Sequence, residues 1–353
     1  MIFGFPHSHS VDDAERRLPN VLAVRTLPGE YAEPLEALLA QRREQWRLLV
    51  ADATSLALLA RTEDAVRLAY ARLALRHGRL GEDFHAYHNE GHILDICGDR
   101  IDRLVETIGL DALPLRDGCA LMLFGAGHDL RQREAAQLIA GVGANERASI
   151  AETQRIMDAC GFSREHDADL YIALELMVAG STFDARPPPG GFHYNAADLV
   201  QSGGALAMRL DQTLDTLRPD WRADPRIGHG LQLALIAADL DTANVAEPFR
   251  RFAGSGENLC REREMLSGRS LDAGESALPV LGFLTDGQDR FFFELHRFQS
   301  EPGRAAFEAG KRANASKLKA LGMGLRARIA LGGRPVDGNQ VILAYRDVLS
   351  HLA

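Results

Sequence analysis

The stretch Tyr87 to Ile93, "YHNEGHI", places His88 and His92 four residues apart. On a helix that spacing sets two rings one turn apart on the same face, so both can enter one pocket. Such a pair serves equally well as a buried or surface pair with no ligand. Two further stretches add acids where acids are costly. "CALMLFGAGHDL" is apolar, helix-like and ends in adjacent His128 and Asp129. A carboxylate beside buried apolar residues must be paired, hydrogen-bonded or bound to a cation. "LQLALIAADL" delivers Asp239 to the end of a second apolar helix. The partial negative charge of a helix C-terminus disfavours an anion there unless a cation lies nearby. Singly, His128 reads as a core histidine and Asp239 as a cap on a neighbouring helix. Together, His92, His128, Asp129 and Asp239 read as a mixed nitrogen and oxygen site for a divalent metal.

Helices must position these residues. "TEDAVRLAYARLALRHG" offers Thr62 as N-cap, acids in the first turn and Gly78 past the end. "DPRIGHGLQLALIAADL" opens with Asp224 as N-cap and Pro225 at the first helical position. "SREHDADLYIALELMVAG" runs from Ser163 to Gly180. Alternating β-branched segments are nearly absent, and "VLAVRTL" (Val21 to Leu27) is the one short strand expected. The expected fold class is all-α. Loops fall at Asp184 to Asn195, with three prolines and then two glycines, at Gly268 to Ser276 and at Leu331 to Asn339. We expect an N-terminal helical extension over 1–60, a catalytic domain over 61–300 and C-terminal helices over 301–353. A helical collar and an oligomer contact are both open for the first segment, so homo-oligomer formation stays open too. His7 and His9 have metal-like spacing but lie in an N-terminal segment expected to be mobile, and His193, after the proline loop, reads as a solvent-exposed loop position.

The chain has 353 residues, 46% hydrophobic and 25% charged, with a formal net charge of −9. A general nucleic-acid binder needs a basic surface to displace counterions, so nucleic acid is not an expected partner. The apolar runs fall far short of the ~20 residues that cross a bilayer, so no membrane is expected. Four scattered cysteines without a C-x-x-C pair and an acid-bearing N-terminus point to reduced thiols and a cytoplasmic protein. A small anionic substrate is compatible with the charge, because a bound metal reverses the field locally.

The order H…HD…D along an all-α chain resembles the HD-domain metal-dependent phosphohydrolase superfamily. "YHNEGHI" is similar to the Y-H-N-x-x-H motif of the class I cyclic nucleotide phosphodiesterase catalytic domain. "ANERASIAET" resembles that family's N-x-E-S-x-x-E-N segment, with Ser149 and Glu152 matching and Thr153 in place of Asn. "AADLDTANVAEPF" resembles the segment around the last metal-binding Asp, and "LGFL" (Leu281 to Leu284) the later G-F-I. The similarity runs from about Phe84 to Leu295. A simpler group of bacterial HD phosphohydrolases shares Y-H-N-x-x-H, H-D and an N-E-x-x-S segment. The resemblance implies a multi-helix HD-domain bundle with a metal site at its centre. It departs at two places: Val280 stands where the family clamps the purine with Gln, and Gln154 and Arg155 replace a second histidine pair.

The chemistry expected is hydrolysis of a phosphate ester. His92, His128, Asp129 and Asp239 would hold a first ion, zinc or iron, with positions left open. Asp129, through its second oxygen, would bridge to a second ion, magnesium or manganese, held mostly by water. Metal-bound hydroxide would attack phosphorus in line. His88 would protonate the leaving oxygen as general acid, a role the resemblance implies for the same position. Tyr87, Asn89, Glu152, Val280 and Phe283 are the residues expected behind the ligands or around the substrate. Asn89 is expected to fix the helix start, and Glu152 to orient a water or His88 or else to lie on a solvated face. Arg131 and Arg133 read as surface residues within reach of a phosphate. The leading substrate is a 3′,5′-cyclic nucleotide. A hydrolase of non-cyclic nucleotides or small phosphomonoesters is the alternative, and a metal-bound regulatory protein without turnover is a third reading.

Overall fold

A computed structural model describes residues 2–3, 9–50, 52–135, 137–185 and 200–352. His7, His193 and most of the proline-glycine loop lie outside the described residues. The principal helices are α1 (Glu33–Arg47), α2 (Ala53–Arg76), α3 (Glu90–Asp95), α4 (Leu115–Gly127), α5 (Ala144–Ala159), α6 (Ala168–Ser181), α7 (Pro225–Asp241), α8 (Phe249–Leu266), α9 (Glu301–Gly332) and α10 (Gly338–Leu352). Two short strands, Phe183–Ala185 and Val200–Ala205, pair as a ribbon. The fold is otherwise all-α, and no described helix is long and apolar enough to cross a membrane.

Several helix limits differ from expectation for local reasons. The segment Val21–Val24 is helical rather than extended, because Asn20 caps it by accepting from the backbone N–H groups of Leu22 (3.1 Å) and Ala23 (3.2 Å). Helix α2 is capped by Asp52, whose carboxylate accepts from Ser55 N at 2.8 Å. Thr62 therefore sits inside the helix and returns its hydroxyl to Leu58 O at 3.0 Å. Helix α6 starts at Ala168, after a turn in which Asp167 accepts from Ser163 N at 2.9 Å.

The chain divides into two compact units that cut across the boundaries at 60 and 300: residues 1–182, 205–241 and 299–306, then 183–204, 242–298 and 307–353. In the first unit α6 lies along α7, and α2 packs on α4 and α5. Gly230 permits the close crossing, since a Cβ there would stand 2.7 Å from Leu176 Cδ1. Residues from the N-terminal segment belong to this unit. Asp12 pairs with Arg76 at 2.6 Å, and Glu15 accepts from Arg155 at 2.9 Å. The second unit has a phenylalanine core, with the Phe252 and Phe292 rings 5.6 Å apart and Tyr345 donating to Ala253 O at 3.0 Å.

Candidate metal centre

Asn89 sets the start of α3. Its extended backbone ends the helix ahead of Glu90, its Oδ1 accepts from Gly91 N at 2.8 Å, and its Nδ2 donates to His85 O at 2.7 Å. His92 thus lies in the first turn and is buried, whereas His88 precedes the helix. The two histidines do not share a helix face as expected. The turn nevertheless brings their rings to 6.1 Å, edge to face, with the Tyr87 ring 4.9 Å from His88 and 4.8 Å from His92. Beyond α3 the chain kinks at Gly98, and buried Arg42 donates to Cys97 O (2.8 Å) and Gly98 O (3.0 Å) while pairing with Asp102 at 2.6 Å. The kink leaves carbonyls without helical donors, and the guanidinium replaces them.

His128 closes α4. Its Nδ1 lies 3.2 Å from Phe124 O, which fixes the ring with Nε2 turned to Asp129 Oδ2 at 2.9 Å. Such an arrangement, one ring nitrogen on a carbonyl and the other turned to carboxylates, is how a histidine is oriented toward a metal. Asp129 Oδ1 accepts from Gln132 Nε2 at 2.8 Å. The loop that follows is fixed by Ser149, which accepts from Arg131 N at 3.1 Å, and by Asn145, which accepts from Glu134 N at 3.0 Å.

The fourth member is Asp241, not Asp239. Asp241 Oδ1 lies 3.3 Å from His92 Nε2 and 3.4 Å from His128 Nε2. Asp129 Oδ2 lies 3.6 Å from His92 Nε2. Helix α7 runs two residues past Asp239, and two residues on a helix turn the side chain by about 200°. Asp239 consequently faces away from the cluster and accepts from Gln299 N (2.7 Å), Ser300 N (2.8 Å) and Ser300 Oγ (2.6 Å). Arg100 holds the end of α7 by donating to Leu240 O (2.9 Å) and Asp241 O (2.6 Å).

His92, His128, Asp129 and Asp241 are a donor set for a metal ion, their ligand atoms all within 4.8 Å of one another. Bonds of ~2.0–2.2 Å from one ion to such donors put neighbouring ligand atoms ~2.8–3.6 Å apart, from octahedral to tetrahedral angles. The four histidine–carboxylate separations, 2.9 to 3.6 Å, fit that requirement. The field supports a cation as well. Burial opposes charge on His128, yet Asp129 and Asp241 outweigh it and raise its pKa to about 10. Burial also opposes charge on Asp241, but His128 and His92 hold its carboxyl far below the usual range. His92 moves the other way, its charged form disfavoured chiefly by burial. The centre therefore concentrates two carboxylates that require positive charge. His88 Nε2 approaches Asp129 Oδ2 at 3.9 Å and keeps about a quarter of its side chain exposed.

The other expected residues lie elsewhere. Glu152 is completely buried and neither faces solvent nor reaches His88. It pairs with Arg72 (3.3 Å), Arg76 (3.1 Å) and Arg131 (3.6 Å). Arg131 is therefore a buried partner, also bonded to Glu134 at 2.6 Å, rather than a surface residue. Val280 and Phe283 lie in the second unit, both buried, with the Arg263 guanidinium 5.4 Å from the centre of the Phe283 ring. Sequence reasoning missed Asp241 and also Glu146. Burial raises the Glu146 carboxyl, and the charges of Asp129 and Asp241 raise it further, so it feels the field of the centre. Its position in the first turn of α5, as the acid of the Asn145–Glu146 pair, was the available signal. No protein-family model, curated protein or solved structure matches this chain.

Proposed function

We propose that the chain is a metal-dependent phosphohydrolase of the HD type, with a phosphodiester as the favoured substrate. The observation that carries this reading is the convergence of His92, His128, Asp129 and Asp241 with His88 alongside them. Divalent ions at such a centre acidify water and neutralise phosphate charge. His92, His128, Asp129 and Asp241 would hold the first ion, zinc or iron. Asp129 would also help to hold a second, magnesium or manganese.

The protein's own groups then have distinct tasks. His128 is oriented by the Phe124 carbonyl and Asp129 by Gln132, so neither side chain needs to reorganise to bind. His88 stands beside the centre, outside the four-residue set and partly exposed. It would carry a proton on its ring to the oxygen that leaves phosphorus. Tyr87 packs against both histidine rings and keeps His88 over the centre.

A 3′,5′-cyclic nucleotide is the leading substrate by resemblance. One observation favours the non-cyclic alternative: Val280 is fully buried and carries no amide that could read a purine edge. Product analysis with metal-reconstituted protein on cAMP, cGMP, 5′-AMP and bis(p-nitrophenyl) phosphate separates the two. Release of 5′-nucleotide from a cyclic substrate supports the leading assignment. Turnover of the monoester alone replaces it with the alternative, and failure on every ester and metal removes the hydrolase reading.

A further inference from the structure

A second group of metal-type donors lies in the same unit, formed by His77, Asp83 and His85. His77 Nδ1 lies 3.2 Å from Asp83 Oδ2, and His85 Nε2 lies 3.3 Å from the same oxygen. The two rings stand 3.9 Å apart, and both histidines are almost completely buried. We propose that His77, Asp83 and His85 form a second, structural metal site that takes Zn²⁺ or another first-row ion favouring imidazole, with the fourth position left to water.

Three features support this assignment. The separations of 3.2 and 3.3 Å are those of neighbouring donors around a tetrahedral ion with bonds of ~2.0–2.1 Å. The backbone preorganises the donors: His85 N donates to His77 O at 2.9 Å, and Leu80 N and Gly81 N close the intervening turn on Ala74 O (3.0 Å) and Gly78 O (3.1 Å). The carboxylate is fixed by Arg133, whose Nε donates to Asp83 Oδ2 at 2.9 Å and whose Nη2 bonds Oδ1. Outer partners of this kind orient a ligating carboxylate.

The position gives such an ion a task. The turn from His77 to His85 leads directly into His88, and His85 O anchors Asn89, the cap of the helix carrying His92. Arg133 lies four residues after Asp129 on the adjoining loop. An ion at this site would fix the turn that leads into His88, which the Arg133–Asp83 pair joins to the loop after Asp129, without touching substrate. The proposal stands independently of the hydrolase reading, because it requires no turnover.

Full-length protein carrying His92→Ala and Asp241→Ala, stripped of metal, is titrated with Co²⁺ and followed by visible d–d absorption. The expected result is one saturable equivalent, abolished by adding His77→Gln and His85→Gln. The absence of a saturable site in the folded parent variant overturns the proposal, and so does an equivalent that survives the added substitutions. Should the combined variant not fold, equilibrium dialysis of Zn²⁺ into the otherwise native protein with His77→Gln alone decides. Bound zinc lower by one equivalent supports the site, and unchanged zinc overturns it.

Discussion

Asp239 and Asp241 stand two residues apart at the end of one helix and serve opposite purposes. Asp241 Oδ1 faces His92 and His128 at 3.3 and 3.4 Å, whereas Asp239 turns to the backbone of Gln299 and Ser300. The helix phase alone separates a candidate metal ligand from a structural cap. Asp241→Ala is expected to abolish metal uptake at this centre, leaving only the equivalent held by His77, Asp83 and His85. Asp239→Ala is expected to retain the metal but to lose about 2–3 kcal/mol of stability, since two backbone N–H groups are left without an acceptor. Metal content by elemental analysis and chemical denaturation of both variants check this contrast. Metal loss in the Asp239 variant together with retention in the Asp241 variant would reverse the assignment.

How far the sequence disclosed the centre follows from the same contrast. Asn89, His92 and the His128–Asp129 pair were legible because local chemistry marks them: a cap before a helix, and a charge at the end of an apolar run. Asp241 was not, because the apolar run stops at Leu240 while the helix continues through the next residue. Glu152 was misread for a different reason. Its partners Arg72, Arg76 and Arg131 lie on other segments, and a charge neutralised across 76 or 80 residues leaves no local trace. The helix at Val21–Val24 shows a third cause, in which an asparagine cap overrode β-branched composition.

Metal uptake is expected to release a proton. In the metal-free protein His128 is held protonated up to a pKa of about 10 by Asp129 and Asp241, against the cost of burial. A metal needs its neutral nitrogen, so each ion bound near neutral pH displaces that proton, and affinity rises about tenfold per pH unit. Calorimetric titration with Zn²⁺ in buffers of different ionisation enthalpy measures the release. Binding with no buffer dependence would contradict the charged His128.

His88→Ala is expected to lower turnover by roughly 10²–10⁴-fold while leaving metal content unchanged. The alkaline limb of the pH–rate profile should disappear with it. An equal loss of bound metal would make His88 a ligand instead of a proton donor.

The second unit carries its own pH sensitivity. His296 is buried between the Phe291 and Phe298 rings, with Nε2 3.0 Å from Thr242 Oγ1. Burial, then Lys311 and Arg297, lower its pKa from 6.5 to about 3. Below pH 6.5 the unfolded chain takes up a proton that the folded chain refuses, so stability present above 6.5 is lost as pH falls toward 3. The full loss is about 5 kcal/mol. Denaturation midpoints of native protein and His296→Gln between pH 7 and 4 test it; the variant should show a shallower decline, and parallel declines would remove His296 as the cause.

The most direct test of the central claim is the rate of phosphate-ester hydrolysis before chelation, after chelation and after divalent ions are restored, in native protein and in Asp241→Ala. Activity lost on chelation, regained with metal and absent throughout in the variant is the predicted result. Hydrolysis that persists in chelator, or in metal-free Asp241→Ala, would contradict a function built on His92, His128, Asp129 and Asp241.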